Sequence, residues 1–407
     1  MNANYTQRNV AIDILRALTM VTMIFVNDFW NVNDIPHWLE HAKRGEDFMG
    51  LSDVVFPCFL FVVGMSIPFA IERRYSKGYS GESTIGHILS RTFALLVMGV
   101  FIVNSEARLS TDVCYSISTY WFLMVIGFLC IWNQYPATNN NKLKWLFTSL
   151  KVLGVIILLF LAITYRSEKG SVFNASWWGI LGLIGWSYLI CSFIYVYTRD
   201  RLKYLLPIWA VFVIVCMLGT KMNEANAGAT LLSLPRTNFY SELLGILHIG
   251  NGASPAFTMG GIILSVLFVR FQDVSIRKKL LWAGVGVVVF VIAGFIARHF
   301  WIISKLSATP TWIFYVTAIS IGAYAIILWL VDKGKASWFN IIKPAGTATL
   351  TTYMIPYVSY GLARVTGINL PDWFTHGFMS IINCLSFALI IVLITGLLGR
   401  IHIKLKI

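Results

Sequence analysis

Twelve stretches of the chain are apolar over about the ~20 residues that a helix needs to cross a lipid bilayer. They run from 10 to 31, 52 to 72, 88 to 105, 116 to 133, 146 to 165, 177 to 198, 204 to 220, 254 to 271, 280 to 297, 311 to 331, 347 to 365 and 378 to 399. The pattern predicts an all-α fold: a polytopic integral membrane helical bundle of about 12 (11–12) transmembrane helices. Basic residues gather on every second connection, at Arg73, Arg74 and Lys77; Lys142 and Lys144; Arg199, Arg201 and Lys203; Arg270, Arg277, Lys278 and Lys279; Lys333, Lys335 and Lys343; and Arg400, Lys404 and Lys406. Such an alternation marks the cytoplasmic side, so both termini are expected there and the loop from Asn31 to Leu51 is expected to face outward.

The composition agrees with lipid as the main solvent. Of the 407 residues, 57% are hydrophobic and 12% charged, and the mean hydropathy is +0.72, more apolar surface than a soluble core can hide. The net charge of +14 falls between the apolar runs, where Lys and Arg set orientation and meet anionic lipid headgroups, so nucleic acid is not an expected partner. The opening MNANYTQRNVAIDILRA lacks a basic start, short apolar run and small-residue cleavage site; the first span is therefore expected to be retained. Cys58, Cys130, Cys191, Cys216 and Cys384 fall inside apolar runs with no metal-type spacing, and read as small packing residues. Gly179, Gly182, Gly185 and the Gly260–Gly261 pair are read as places of close helix approach. The stretch from Lys221 to Ser254, with its apolar centre FYSELLGILHIG, is read as an interfacial or re-entrant helix. No soluble domain or internal repeat interrupts the pattern, and residues 1–407 are taken as a single integral membrane domain with a chemically rich hairpin at 10–72.

That hairpin holds most of the side chains able to do chemistry. Asn27 lies near the outer end of the first span, His37 and His41 in the outward loop, and Asp53 at the start of the second span. Asn27, His41 and Asp53 are expected to converge at the outer rim of a cavity. A histidine serves as a general base near neutral pH, an amide polarises a carbonyl, and a carboxylate fixes an imidazole tautomer. Bland roles stand beside these: Asp53 at a helix start is a natural N-terminal stabiliser, and Glu40, Lys43, Arg44, Glu46 and Asp47 are ordinary solvated charges. Asp13 and Arg16, one turn apart, either pair with each other or touch an anionic ligand.

The sequence DILRA…MIFVN in the first span, then HA in the loop, then DVVFPCFLFVVG, resembles the heparan-α-glucosaminide N-acetyltransferase family and its bacterial relatives. The likeness extends to PAGTATLTTYMIPY (Pro344 to Tyr357) and weakly to Met259–Leu264. The resemblance implies a multi-pass plasma (inner) membrane enzyme moving an acetyl group from cytoplasmic acetyl-CoA to an amino sugar, a terminal glucosamine, on the outer side. It assigns the catalytic asparagine to Asn27, the histidine to His41 and the following aspartate to Asp53, with no metal. The family's Trp-Asn-Gly-like stretch after the histidine is replaced here by AKRGEDFMG, which leaves His37 as an alternative to His41. The phosphates of CoA need cations at the cytoplasmic face, and Arg16, Arg73, Arg74 and Lys77 flank the same two spans. The expected partners are acetyl-CoA, an amino-sugar or glycan acceptor, membrane lipid and, as a candidate, a second copy of the chain in a homodimer. Two other readings stay open: O-acetylation of an envelope polysaccharide, and secondary transport, for which about twelve helices is a common count.

Overall fold

A computed structural model describes Tyr5 and residues 9–223, 229–231 and 250–407. The helices are α1 (Val10–Asn27), α2 (Leu51–Ser76), α3 (Gly81–Asn104), α4 (Ile117–Trp132), α5 (Asn141–Thr164), α6 (Gly179–Thr198), α7 (Leu202–Gly219), α8 (Ala253–Arg270), α9 (Ile276–Arg298), α10 (Pro310–Asp332), α11 (Phe339–Thr347), α12 (Thr349–Thr366), α13 (Asp372–Thr375) and α14 (Gly377–Arg400). Among the described residues the only β pairing is a few isolated bridges. Each of the twelve apolar stretches coincides with a helix. Among the described residues ten helices are long and apolar enough to cross a membrane, the first of them reaching Asn31 through a 3-10 turn (Asp28–Asn31). The other two stretches correspond to α4, of 16 residues, and α12, of 18 residues with Pro356 inside it. The helix expected around FYSELLGILHIG lies outside the described residues.

The chain groups into two compact units. The first comprises residues 1–19, 36–92 and 184–340; the second comprises 20–35, 93–183 and 341–407. Helices α1, α3, α6 and α11 contribute residues to both.

In the first unit α2 is the central element, packed along α8, with α7, α9 and α10 completing the set. Two glycines explain the closeness of α2 and α8. A Cβ on Gly64 would run into the backbone carbonyl of Thr258, and one on Gly261 into the carbonyl of Phe61. Bilayer helices associate mainly through such tight packing, since lipid tails are as apolar as the side chains. Ser265 adds a hydrogen bond from Oγ to the Met65 carbonyl at 2.8 Å. The close approach expected at Gly260–Gly261 is thus present.

In the second unit α4 packs against α5 and α12, and α12 against α14. Gly182 of α6 lies directly against Gly99 of α3. The fully buried Tyr120 satisfies its hydroxyl by donating to the Phe101 carbonyl at 3.0 Å.

Candidate active site

The start of α2 is built around Asp53, whose carboxyl group is 1% exposed. Its two oxygens divide the work. Oδ2 accepts the backbone N–H groups of Ala42 (2.9 Å) and Gly50 (3.3 Å), while the Asp53 N–H returns a bond to the Gly50 carbonyl at 3.0 Å. This satisfies donors that a helix start leaves without partners. Oδ1 faces His41, with Nδ1 at 2.7 Å. A buried carboxylate that already takes two N–H donors is an acceptor, so the shared proton sits on the His41 Nδ1 and the Nε2 lone pair is left as the basic edge. The imidazole is 53% exposed. The capping role and the imidazole-orienting role expected of Asp53 are therefore carried by different atoms of one side chain.

The loop reaches this position because residue 50 has no side chain. A Cβ on Gly50 would collide with the carbonyl oxygen of Glu40. With that contact open, Ser52 Oγ donates to the Leu39 carbonyl at 2.6 Å and draws the chain segment before His41 against α2. A second local rule acts four residues on. Pro57 lacks the N–H that would have bonded the Asp53 carbonyl within the helix, and the indole Nε1 of Trp312, at the start of α10, donates to that carbonyl instead at 3.0 Å. Thr309 caps α10 by accepting the Trp312 N–H at 3.4 Å.

Lys305, on the connection between α9 and α10, completes the cluster. Its Nζ lies 4.0 Å from Asp53 Oδ1, 3.4 Å from His41 Nδ1 and 3.3 Å from the Ser52 carbonyl, to which it donates. Burial brings its amine down to about 8, with Asp53 opposing the shift. Sequence reasoning missed this residue: 264 positions separate it from His41, and no local pattern links them. Asp47, read as a solvated charge, is instead an anchor for the same connection. It pairs with Arg298 at 2.8 Å and accepts the Ile303 N–H at 2.7 Å.

His37 has different surroundings. Its Nε2 meets Glu46 at 2.8 Å, Nδ1 lies 3.7 Å from Glu40, and the ring stacks on Phe48 at 4.2 Å. The Glu46 carboxyl is held below its usual range first by the Lys43 N–H and then by His37. Asn27 is the last residue of α1, is exposed, and belongs to the second unit. Asp28, the next residue, is buried at 4% exposure, which sequence reasoning did not single out. Its Oδ1 accepts from the Tyr360 hydroxyl at 2.9 Å and the Asn31 amide at 3.1 Å, and its carboxyl also meets the Cys384 thiol.

Of the four expected phosphate-binding cations, Arg16 pairs with Asp13 at 3.2 Å and donates to Ser66 Oγ at 2.6 Å. Arg74 donates to the Ser83 carbonyl and hydroxyl, both at 3.2 Å, and covers the Tyr79 ring. Arg73 and Lys77 are exposed. Asp13 and Arg16 thus do pair with each other.

The helices and the hairpin define a multi-pass helical membrane protein with an open imidazole backed by a buried carboxylate. Residues 8–113 match the family model of the heparan-alpha-glucosaminide N-acetyltransferase catalytic domain. The chain is 32% identical over 97 residues to heparan-alpha-glucosaminide N-acetyltransferase of Mus musculus and 30% identical over 98 residues to that of Homo sapiens. Each match covers 23% of this chain and 13% of the relative. The resemblance read from the hairpin holds over the segment that contains Asn27, His41 and Asp53; Pro344–Tyr357 lies outside the matched residues.

Proposed function

We propose that the chain is a transmembrane acetyltransferase that takes an acetyl group from cytoplasmic acetyl-CoA and delivers it to an amino sugar on the opposite face. The observation that carries this reading is the His41–Asp53 pair, with its imidazole half exposed, inside the segment that resembles a catalytic domain. An acceptor amine must lose a proton to attack a thioester. His41 Nε2 takes that proton, and Asp53 holds the ring and stabilises the resulting charge. The resemblance also gives a catalytic part to Asn27, whose amide is of the kind that serves an oxyanion. Arg73 and Lys77, both exposed, are the cations open to the donor's phosphates.

Three contacts support twelve crossings among the described helices, an even count that fits both termini on one face. Glu72 at the end of α2 pairs with Arg199 just after α6 at 2.8 Å. An even number of crossings must separate them, so α4 joins α3, α5 and α6. His41 beside Lys305 likewise requires an even number from α2 to α9. Leu405 bridges to Asn133 after α4, which calls on α12 to cross as well. The whole chain then acts as one integral membrane domain.

The test is reconstitution into vesicles with labelled acetyl-CoA outside one face and glucosamine at the other. Labelled N-acetylglucosamine on the acceptor side is the expected product. Acetylation of hydroxyl-only sugars in preference to amines points to the polysaccharide O-acetyltransferase, and sugar flux without acetyl transfer to a transporter; either overturns the reading.

A further inference from the structure

Building on the acetyltransferase reading, we propose that Lys305 is a positioning residue of this site: its ammonium shares the Asp53 carboxylate with His41 and opposes a second positive charge on the ring. The first ground is how firmly the residue is placed. A lysine gives up about 2 kcal/mol of side-chain freedom when ordered, yet here its side chain is only 24% exposed and its Nζ is tied to the Ser52 carbonyl. The connection that carries it is clamped at several points. Trp301 Nε1 donates to the Thr220 carbonyl at 3.1 Å, Thr311 Oγ1 to the Trp301 carbonyl at 2.7 Å, and Asp47 holds both Arg298 and the Ile303 N–H.

The second ground is the charge balance. Asp53 and Lys305 form a neutral pair beside a neutral imidazole. When His41 Nε2 takes the acceptor's proton, an imidazolium and an ammonium stand 3.4 Å apart on one carboxylate. Their repulsion favours passing that proton onward to the departing thiolate, which restores the neutral ring, so the ammonium acts on turnover through His41. Among the described residues the ionisable groups that face the ring are Asp53 from α2 and Lys305 from the α9–α10 connection; Asp47 and Arg298 face each other. Burial brings the Lys305 amine to about 8, so the ammonium is present at neutral pH and is lost above that range.

The experiment follows the His41 ring by 15N-histidine NMR across a pH titration of the full-length protein in detergent, in wild type, Lys305→Met and Lys305→Arg. A unit charge 3.4 Å away, even when fully water-screened, moves a titration midpoint by about one pH unit. Lys305→Met is expected to raise the His41 midpoint by about that amount, Lys305→Arg to leave it within a few tenths, and the His37 signal to stay fixed in all three. The acid limb of kcat/KM for acetyl transfer moves up in parallel, with KM for acetyl-CoA unchanged. Superimposable His41 titrations in wild type and Lys305→Met overturn the proposal, whatever happens to the rate. A shift in a protein that transfers no acetyl group upholds the role of Lys305 on the ring and refutes the acetyltransferase reading. Should Lys305→Met lose the folded His37 signal, Lys305→Gln replaces it with the same expected and opposing outcomes.

Discussion

Two buried aspartates of the first hairpin, one in each unit, show how differently a carboxylate can be used. Asp53 is backed by two backbone N–H groups on one oxygen and gives the other to an exposed histidine, with a lysine close by. Asp28 is enclosed by a tyrosine hydroxyl, an asparagine amide and a cysteine thiol. The first is coupled to a half-exposed imidazole and an amine; the second, among the described residues, has neutral partners. A buried polar group in a membrane protein calls for a functional explanation by default. Partner chemistry distinguishes the two: the Asp53 cluster suits the proton movement proposed for it, and the Asp28 cluster ties helix ends together.

The comparison is broken most readily at His41. Replacing it with alanine is expected to lower acetyl transfer by ~10²- to 10⁴-fold, the usual loss for a general base, while CoA binding measured by calorimetry is retained. His37→Ala, whose ring is held by Glu46 and Phe48 away from Asp53, should keep most of the activity. A dead His37→Ala beside an active His41→Ala would reverse the assignment. Asn27→Ala comes next, with a loss of up to ~10²- to 10³-fold in kcat if its amide serves the oxyanion; unchanged kcat would leave the second unit with no part in the chemistry. The smallest effect belongs to Tyr360→Phe. It removes one donor from the buried Asp28 carboxylate and should cost ~1 to 3 kcal/mol of stability, seen as a lower melting temperature in detergent with kcat little changed. A Tyr360→Phe protein that melts normally but turns over slowly would make Asp28 a second functional carboxylate.

What could be read ahead of the structure follows from range. Each apolar stretch is a local signal, and all twelve became helices. The edges moved where polar residues continue a helix, as at Gly81–Gly86 before the apolar part of α3, or where α1 tightens to a 3-10 turn at Asp28. His41 and Asp53 were legible because only 12 positions separate them on one hairpin. Lys305 and Trp312 were hidden, since their contacts to residues 41 and 53 span more than 250 positions. Pro57 was a usable clue: a proline four residues after Asp53 leaves that carbonyl seeking a donor from elsewhere, although it does not say which. Asp28 was passed over beside its more suggestive neighbour Asn27, and only the ring of partners from α12 and α14 gives it meaning.

The backbone contact between α2 and α8 has a mechanical side. With Gly64 seated on the Thr258 carbonyl and Gly261 on the Phe61 carbonyl, neither helix can slide by a turn or roll about its axis without driving a bulkier residue into the other's main chain. Carriers that alternate their access rock one bundle against another around a central site; this pair is a poor bearing for such a motion. The imidazole at the head of α2 thus stands on a fixed post.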